Sequence, residues 1–575
     1  MAKFRQRFRS SEIWFVVIAV VVGALAGIGT VVLEVAAQAT QTLLYDLPDG
    51  ARLSTQTEIV PLRLLALPAG GLALVLFSQL VRARRRALVD AVEANALHGG
   101  RMSVVDSMVI AGQTLISNGC GASVGLEAAY AQMGSVFASI AGLRLGLRRS
   151  DVRTLVGAGA GAAISAAFGA PLAGCFYAFE IVIGAYTPSA IAPVAAASLS
   201  GTLVAQALGA HPYAIGYDGV GHVASTDYLV FVALGALLGL VAIVLMYAIS
   251  VLEGVSRRLP LANWLRPVIG GVLMMPLALV TPQVLSSGHS ALAVDVSIGG
   301  SVAFLASVFL AKSCASAISL GFGYRGGLFF ASLFLGAVAG RLYGVLLQQL
   351  AGYVVIDPAQ SALVGMAALA VAIIGGPITM AMLVLEATQD LAITGVVIAA
   401  TLVASTVVRV LFGYSFSTWR LHLRGETIRS ARDVGWIRTL TAGRMMRRET
   451  RAVPGSISIG EFQRRFPLGS TQRVVLLDAS GRYAGIVLTA SAYGETVDPA
   501  EPADSLAILQ DAALTPEMNI VDVMHSFDVV GSDEFAVVAP DRTVLGLLSE
   551  TYVRKRYAEE LEKAQRELFG EGNRR

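Results

Sequence analysis

The chain has 575 residues, of which 55% are hydrophobic and only 14% are charged, and its formal net charge is +3. A mean hydropathy of +0.67 excludes an ordinary soluble protein, because so many long uncharged runs cannot all be buried in one water-soluble core. We therefore expect the lipid bilayer to surround most of the chain.

Predicted membrane spans begin close to the N-terminus. Five uncharged stretches approach the ~20 residues that cross a bilayer as a helix. They are residues 13–33, 154–179, 228–249, 361–385 and 391–408. The first is not a cleaved signal peptide, because its apolar run exceeds the usual ~7 to 15 residues and Glu34 stands where a small-residue cleavage site would lie.

Basic residues flank the first two predicted spans. Lys3, Arg5, Arg7 and Arg9 precede the first span, and Arg82, Arg84, Arg85 and Arg86 follow the second. Because basic residues favour the cytoplasmic side, both clusters and the N-terminal segment 1–12 are predicted to be cytoplasmic. A nucleic-acid-binding patch is the alternative interpretation, but the neighbouring spans favour contact with the bilayer, so no nucleic-acid partner is expected.

A repeat is the strongest organisational feature of the membrane part. Residues 125–134 align with residues 327–336 at both glycines, one Leu and one Ala, at an offset of 202. Residues 169–180 align with residues 375–386 at an offset of 206, and in both copies a Pro is followed nine residues later by a Glu. Two such halves predict structural repeats that meet at a binding site formed by broken helices.

Two glycine-rich segments, residues 118–125 and 321–327, are poor mid-helix sequences and are expected to end one helix and begin the next. Free backbone N–H groups and the positive end of the helix dipole at such starts favour an anion. Glu127 follows the first segment inside apolar sequence. Its carboxylate is predicted to plug the anion site and to leave when protonated, whereas a structural ion pair is the alternative.

These motifs together resemble the CLC family of chloride channels and chloride/proton antiporters over essentially the whole chain. Residues 125–128 resemble the family's G-R/K-E-G-P segment, residues 327–331 resemble G-x-F-x-P, and residues 169–174 resemble the segment before the inner glutamates. The resemblance implies an all-α polytopic fold of two inverted repeats with broken, tilted helices over residues 13–425. It also implies a homodimer with one pathway per subunit.

The resemblance implies roles for individual residues as well. Glu127 would be the external gate, and the backbone amides of Leu126, Ala128, Leu328 and Phe329 would line the anion sites.

Two anion-binding side chains of the family pattern are absent. The motif G-S-G-x-P should fall near residues 87–94, but that segment contains no Gly, Ser or Pro. Counting back from Gly425 places Ser417 at the family's central Tyr, with Phe416 beside it, and Tyr414 lies too early. Phe416 and Ser417 are therefore the candidates at the inner end of the site, which we expect to be weaker or wider than usual.

Proton coupling is the second departure from the family pattern. Ile181 stands where the family's exchangers have an inner-side glutamate, and Glu180 before it is structural by the resemblance. This favours channel-like or loosely proton-coupled conduction, whereas the intact Glu127 supports a strictly coupled antiporter as the alternative.

Three other charged residues occur beside these motifs. Lys312 and Glu386 lie in apolar sequence and are expected to be buried structural partners of other groups. Arg325, two residues before Gly327, is a candidate for raising the local anion concentration, and a capped loop end is the equally supported alternative.

The composition changes near Arg424, and a soluble α/β domain is predicted over residues 442–575. Residues 474–488 and 535–549 each read as strand, turn, strand and then helix, which resembles a pair of CBS domains. Many CBS pairs bind adenine nucleotides through a Ser or Thr and an Asp three residues later. Ser549 is present, but Tyr552 replaces the Asp, so docking and dimerisation are expected instead of a nucleotide cofactor.

Chloride is the default substrate, and the missing Ser leaves nitrate or another small anion open. A CBS-bearing magnesium transporter would need more carboxylates along its membrane pathway than these sparse acids provide. The chain has no HExxH motif and no Walker loop, and its three cysteines lack metal-ligand spacing, so neither an enzyme nor a metal site is expected. We expect a multi-pass protein of the cell inner (plasma) membrane with both termini cytoplasmic.

Overall fold

The computed structural model describes residues 12–48, 51–81, 88–210, 223–260, 262–288, 301–422 and 440–569, without the side chains of residues 417, 421–422 and 561–569. The chain divides into two compact units, Met1–Asp433 and Val434–Arg575. The two basic clusters, Ala87 and the domain boundary predicted near Arg424 lie outside the described residues.

The first half of the membrane unit is helical. Its helices are α1 (Glu12–Tyr45), α2 (Ala66–Leu80), α3 (Ala91–Leu97), α4 (Val104–Gly119), α5 (Glu127–Leu145), α6 (Arg149–Phe168), α7 (Pro171–Tyr177) and α8 (Pro188–Ala207). Short 3₁₀ turns at Leu53–Thr55 and Pro61–Leu65 connect α1 to α2, and α7 continues as a π-helical turn, Ala178–Ile183.

The second half follows the same plan. Its helices are α9 (Asp227–Arg258), α10 (Leu265–Val280), α11 (Val302–Gly321), α12 (Phe329–Ala351), α13 (Pro358–Ile374), α14 (Pro377–Thr388), α15 (Leu391–Leu411) and α16 (Phe416–His422). A 3₁₀ turn, Pro282–Val284, follows α10.

Seven helices within the described part of the chain are long and apolar enough to cross a membrane. They are α1, Pro61–Leu80, α8, α9, α11, α12 and α15. This finding confirms the predicted multi-pass membrane protein.

Two of the predicted spans are each broken into two helices. The stretch 154–179 is divided between α6 and α7 at Gly169, which has φ +66°, and the stretch 361–385 is divided between α13 and α14 at Gly375 and Gly376, with φ +90° and +79°. A proline then begins the next helix in each case. A glycine with positive φ commonly ends a helix, and proline is favoured at the first position of the next one. Each uncharged stretch therefore forms two helices instead of one continuous span.

Close backbone contacts show that the two halves are repeats. A Cβ at Gly134 of α5 would overlap the carbonyl of Gly159 on α6, and a Cβ at Gly336 of α12 would overlap the carbonyl of Gly365 on α13. The same pair of helices therefore packs through glycine in each half, which agrees with the structural repeats predicted from the alignment of residues 125–134 with 327–336.

In each repeat, a glutamate caps the start of a helix that belongs to the other repeat. Glu180 accepts hydrogen bonds from the amides of Ile378 and Thr379 at 3.2 and 2.8 Å, at the start of α14. Glu386 on α14 accepts hydrogen bonds from the amides of Leu172 and Ala173 at 2.7 and 2.9 Å, at the start of α7. Each carboxylate thus satisfies free N–H groups and the positive end of a helix dipole in the other half.

We expect Glu386→Ala to lower the stability of the membrane unit by about 1 to 2 kcal/mol, because both helix-start amides at α7 would lose their charged acceptor. The measurement is the thermal unfolding temperature of the purified protein in detergent. Glu253→Ala is the matched control, since Glu253 forms a salt bridge with Arg257 one turn away on the same helix and caps no other helix within the described part of the chain. Equal unfolding temperatures for the two variants would contradict a capping role.

The described residues of the C-terminal unit form four α-helices and five strands, with 3₁₀ turns at Thr489–Tyr493 and Ala503–Leu506. They are α17 (Ala442–Met445), β1 (Ala452–Pro454), α18 (Ile459–Arg465), β2 (Arg473–Leu477), β3 (Tyr483–Leu488), α19 (Ile520–Val530), β4 (Glu534–Val538), β5 (Val544–Ser549) and α20 (Glu550–Phe569). β1 pairs in parallel with β2, and β2–β3 and β4–β5 are antiparallel hairpins.

The two hairpins have the same register. Arg473 pairs with Leu488 in the first, and Glu534 pairs with Ser549 in the second, with a bulge before the turn in both. In the first turn, the backbone N–H of Arg482 donates to Asp478 at 2.9 Å and holds the pKa of that carboxyl below its usual value. The repeated hairpins have the arrangement predicted for a CBS pair.

The C-terminal helix α20 carries Tyr552 and packs on its own unit through Tyr557. Tyr552 is about half exposed on α20, and Tyr557 packs against the core of the second half of this unit. The other members of the predicted apolar face of this helix, Leu561, Ala564 and Leu568, have side chains outside the described residues.

Candidate anion pathway

The two glycine-rich segments meet at a pair of reciprocal backbone hydrogen bonds. The amide of Gly125 donates to the carbonyl of Gly327 at 2.9 Å, and the amide of Gly327 donates to the carbonyl of Gly125 at 3.0 Å. This bridge places the N-termini of α5 and α12 side by side, 202 residues apart in the sequence. Two positive helix ends therefore face the same region.

Glu127 lies at this junction and is only 3% exposed. One carboxylate oxygen, Oε1, accepts a hydrogen bond from the amide of Phe330 at 2.7 Å, at the start of α12. The other, Oε2, is buried and has no hydrogen-bond partner among the described residues. The carboxylate lies against two glycines, since a Cβ at Gly327 would be 2.6 Å from Oε2 and a Cβ at Gly125 would overlap both oxygens.

An inner cavity of about 150 Å³ lies on one side of Glu127. It brings together Glu127 and five of the residues selected from the sequence. These are Ala128, Arg325, Leu328, Phe329 and Phe416. Tyr177, Gln132, Asp90 and Arg420 add polar groups to its wall.

An outer cavity of about 40 Å³ lies on the other side. Leu126 and Phe330 line it, and these residues directly adjoin Glu127 and Phe329, which line the inner cavity. The helix starts that hold the Glu127 carboxylate therefore stand between two cavities. We name this cavity outer because it borders the loop after α1, on the side opposite the predicted cytoplasmic N-terminus.

The segment predicted to replace the family's G-S-G-x-P motif does line the inner cavity, through Leu88, Asp90, Ala91 and Val92. Asp90 caps α3, with its carboxylate accepting from the amide of Glu93 at 2.8 Å. The predicted segment thus brings a carboxylate to the wall of the inner cavity. Asp90 was not selected from the sequence, although an Asp three residues before a Glu is a helix-start signal.

Phe416 lines the inner cavity, whereas the side chain of Ser417 lies outside the described residues. Tyr414 packs on Trp419 with ring centres 5.5 Å apart and is not among the lining residues. Arg420, which sequence reasoning missed, has its guanidinium 5.8 Å from the centre of the Phe416 ring. The four-residue spacing from Phe416 places both on one helix face and could have indicated it.

Arg325 and Ile181 differ in their relation to the cavity. Arg325 lines it, and its guanidinium also donates to Gln113 Oε1 at 3.3 Å. Ile181 instead packs beside Gly375 and Gly376. Near Ile181 in the sequence, Tyr177 and Val182 line the cavity.

Residues 121–125 have the G-x-S-x-G spacing of a hydrolase nucleophile, a match that the sequence reasoning overlooked. Ser123 is fully buried, and its hydroxyl lies 3.1 Å from the hydroxyl of Ser316. A nucleophile must reach a substrate, whereas this serine is packed against Ser316 and lines neither cavity.

A family model described as voltage gated chloride channel matches residues 69–409. Over 332 residues, the chain is 30% identical to a ClcB-like protein of Ralstonia nicotianae, covering 57% of this chain and 77% of that relative. It is 28% identical over 416 residues to the voltage-gated ClC-type chloride channel ClcB of Escherichia coli strain HS, covering 70% of this chain and 97% of the relative.

Solved structures show the same fold. A slow cyanobacterial Cl⁻/H⁺ antiporter superposes with a TM-score of 0.62 at 22% identity, covering 71% of this chain and 97% of that one. A eukaryotic CLC transporter superposes with a TM-score of 0.60 at 18% identity, covering 93% of this chain and 97% of that one.

Proposed function

Because the chain belongs to the CLC family of voltage-gated chloride channels, we propose that it carries chloride or a similar small anion across the membrane through a pathway gated by Glu127. One observation carries this proposal. The buried Glu127 carboxylate occupies the start of α12, bound to the Phe330 amide at 2.7 Å, with a cavity on either side.

A carboxylate at this position competes with a permeating anion for the same amide and the same helix dipoles. Protonation removes its negative charge and weakens its hydrogen bond, since a charged acceptor binds an N–H more strongly than a neutral one. The side chain can then leave, and an anion takes its place. Glu127 thereby couples passage of the anion to pH.

We propose channel-like or loosely proton-coupled conduction. Ile181 supplies no ionisable group at the inner-side position, and it packs on Gly375 and Gly376 and is not among the residues that line the inner cavity. The Escherichia coli relative carries the name of a channel, and the cyanobacterial structure carries that of an antiporter. A strictly coupled antiporter is the second candidate, favoured by Asp90, which lines the inner cavity together with Glu127 and offers a carboxylate for proton transfer.

We propose a homodimer in the cell inner (plasma) membrane with both termini cytoplasmic. We propose a docking and dimerisation role for the C-terminal unit, because Tyr552 stands where the resemblance to CBS pairs implies the nucleotide-binding Asp.

The test is chloride flux from proteoliposomes with simultaneous pH recording, on wild type and Glu127→Gln. We expect chloride flux with little or no proton movement in wild type, and flux that no longer depends on pH in the variant. Glu253→Gln, on the surface of α9, is the control for a general effect of losing a carboxylate. Proton uptake driven by chloride and abolished in Glu127→Gln would establish the antiporter, and no chloride flux in any variant would exclude chloride as the substrate.

A further inference from the structure

The outer cavity has a polar wall that includes an ion pair. Gln38, Gln41, Ser54, Asn118, Tyr130, Ser286 and Ser287 supply its uncharged polar groups. The charged residues among those described as lining it are Glu34 and Arg52. The Arg52 guanidinium donates to Glu34 Oε1 at 2.9 Å.

Glu34 is an unusual residue in its helix. After Glu12, it is the one charged residue of α1, which is otherwise apolar or uncharged through Tyr45. An ionised group in a membrane helix is costly unless it has a partner or faces water, and residues of this kind mark ion pathways. Arg52 supplies the partner from the loop after α1.

The pair is accessible to solvent and close to the gate. The side chain of Glu34 is 24% exposed and that of Arg52 is 37% exposed, so neither is sealed inside the protein. Leu126 and Phe330 line the same cavity, and the amide of Phe330 holds the Glu127 carboxylate. An anion passing between Glu127 and the outer solution therefore crosses the field of this pair.

The two charges have opposite effects on an anion. Arg52 without Glu34 would bind the anion and slow its release, and Glu34 without Arg52 would repel it. Conduction requires a site that is favourable enough to enter and weak enough to leave. A hydrogen-bonded pair satisfies both conditions, because its net charge is zero while the guanidinium still offers N–H groups to an anion.

We propose that the Glu34–Arg52 ion pair sets the electrostatic potential of the outer cavity, with Arg52 attracting the anion and Glu34 keeping that attraction weak enough for release. This inference rests on the proposed function as an anion pathway. It makes Arg52 and Glu34 affinity-setting residues at the outer end of that pathway.

The test is the dependence of chloride current on chloride concentration in planar bilayers, at low ionic strength and with one chamber varied at a time. Arg52→Gln should raise the half-saturating concentration roughly two- to fivefold, and Glu34→Gln should lower it by a similar factor and also lower the maximal current. The double variant and Arg52→Lys should stay close to wild type. Arg63→Gln is the control, since Arg63 forms a comparable 2.9 Å pair with Asp46 in the same loop but does not line the cavity.

The directions of the two shifts in half-saturating chloride concentration distinguish an electrostatic role of the pair from a structural one. Shifts in the same direction for Arg52→Gln and Glu34→Gln, or no rescue in the double variant, would show that the pair only holds the loop in place. Equal shifts at low and high ionic strength would also overturn the proposal, because salt screens charges at a solvent-accessible site. If wild type itself carries no chloride, the proposed function fails before the pair is tested.

Discussion

A methyl group at Gly125 should reduce anion flux by about tenfold or more, whether or not Glu127 is present. The Cβ of an alanine at this position would overlap both carboxylate oxygens of Glu127. If the carboxylate occupies the position of a permeating anion, the methyl group excludes both from it. The carboxylate is the far end of a flexible side chain, so it can move aside and leave the fold intact.

The experiment compares chloride flux in Gly125→Ala, Glu127→Ala and the double variant. We expect Glu127→Ala alone to conduct, because removing the plug leaves the helix starts open. The double variant should be as impaired as Gly125→Ala. Gly254→Ala is the matched control, since Gly254 lies within α9 and a Cβ there would have no neighbour within 4 Å.

A double variant that conducts as well as Glu127→Ala would show that the anion bypasses the position of the carboxylate. Glu127 would then block the pathway from beside the anion site. This outcome would retain the gate but remove the competition between carboxylate and anion for the Phe330 amide. Equal loss of protein yield in Gly125→Ala and Gly254→Ala would instead indicate a general effect of the substitution on folding.

The position of Glu127 could be predicted from the sequence because its determinants are local. Glycine-rich residues before it and an apolar helix after it place a carboxylate at a helix start. Its hydrogen-bond partner, the amide of Phe330, could not be predicted in the same way. That contact depends on the bridge between Gly125 and Gly327, and nothing local to either segment specifies the pairing.

The glutamate caps illustrate the same limit. The equal Pro-to-Glu spacing in the two halves identified Glu180 and Glu386 as corresponding residues. It did not show that each caps the helix of the other half, because those contacts join residues about 200 positions apart. The Glu34–Arg52 pair is closer in sequence, but only the cavity shows that it lies beside the pathway.

Uncharged length was a misleading criterion for the broken spans. Residues 154–179 and 361–385 satisfy it, yet both contain a glycine followed closely by Pro171 or Pro377. The alignment of residues 169–180 with 375–386 identified a repeat, but neither it nor the hydropathy pattern placed a break in these two spans. Backbone chemistry at a few residues therefore decided where these helices end.

Lys312→Met should destabilise the membrane unit by about 2 to 5 kcal/mol and abolish transport as a consequence. Lys312 is fully buried, and its ammonium donates to the carbonyls of Val284 and Ser286 at 3.1 and 2.8 Å. Methionine conserves most of the volume but donates no hydrogen bond. The loss would leave two buried carbonyls without this charged donor.

Loss of these hydrogen bonds should also affect transport, because Ser286 lines the outer cavity. Ser286 has φ +56°, a left-handed conformation that costs roughly 1 to 3 kcal/mol in a residue other than glycine. Its amide donates to the carbonyl of Gly121 at 3.0 Å, and its hydroxyl accepts from Gln41 and Asn118, each at 3.1 Å. Lys312 therefore helps to hold a strained residue that organises the wall of the outer cavity.

Thermal unfolding and chloride flux should be measured together for Lys312→Met, with Lys555→Met on the exposed surface of α20 as the control. We expect a large decrease in unfolding temperature for Lys312→Met and almost none for the control. Unchanged stability with lost flux would assign Lys312 a direct role in attracting anions, since its charge lies behind the residues that line the outer cavity. Unchanged stability and flux would mean that Gln41, Asn118 and Gly121 hold Ser286 without the ammonium, so that the strain is offset by uncharged hydrogen bonds alone.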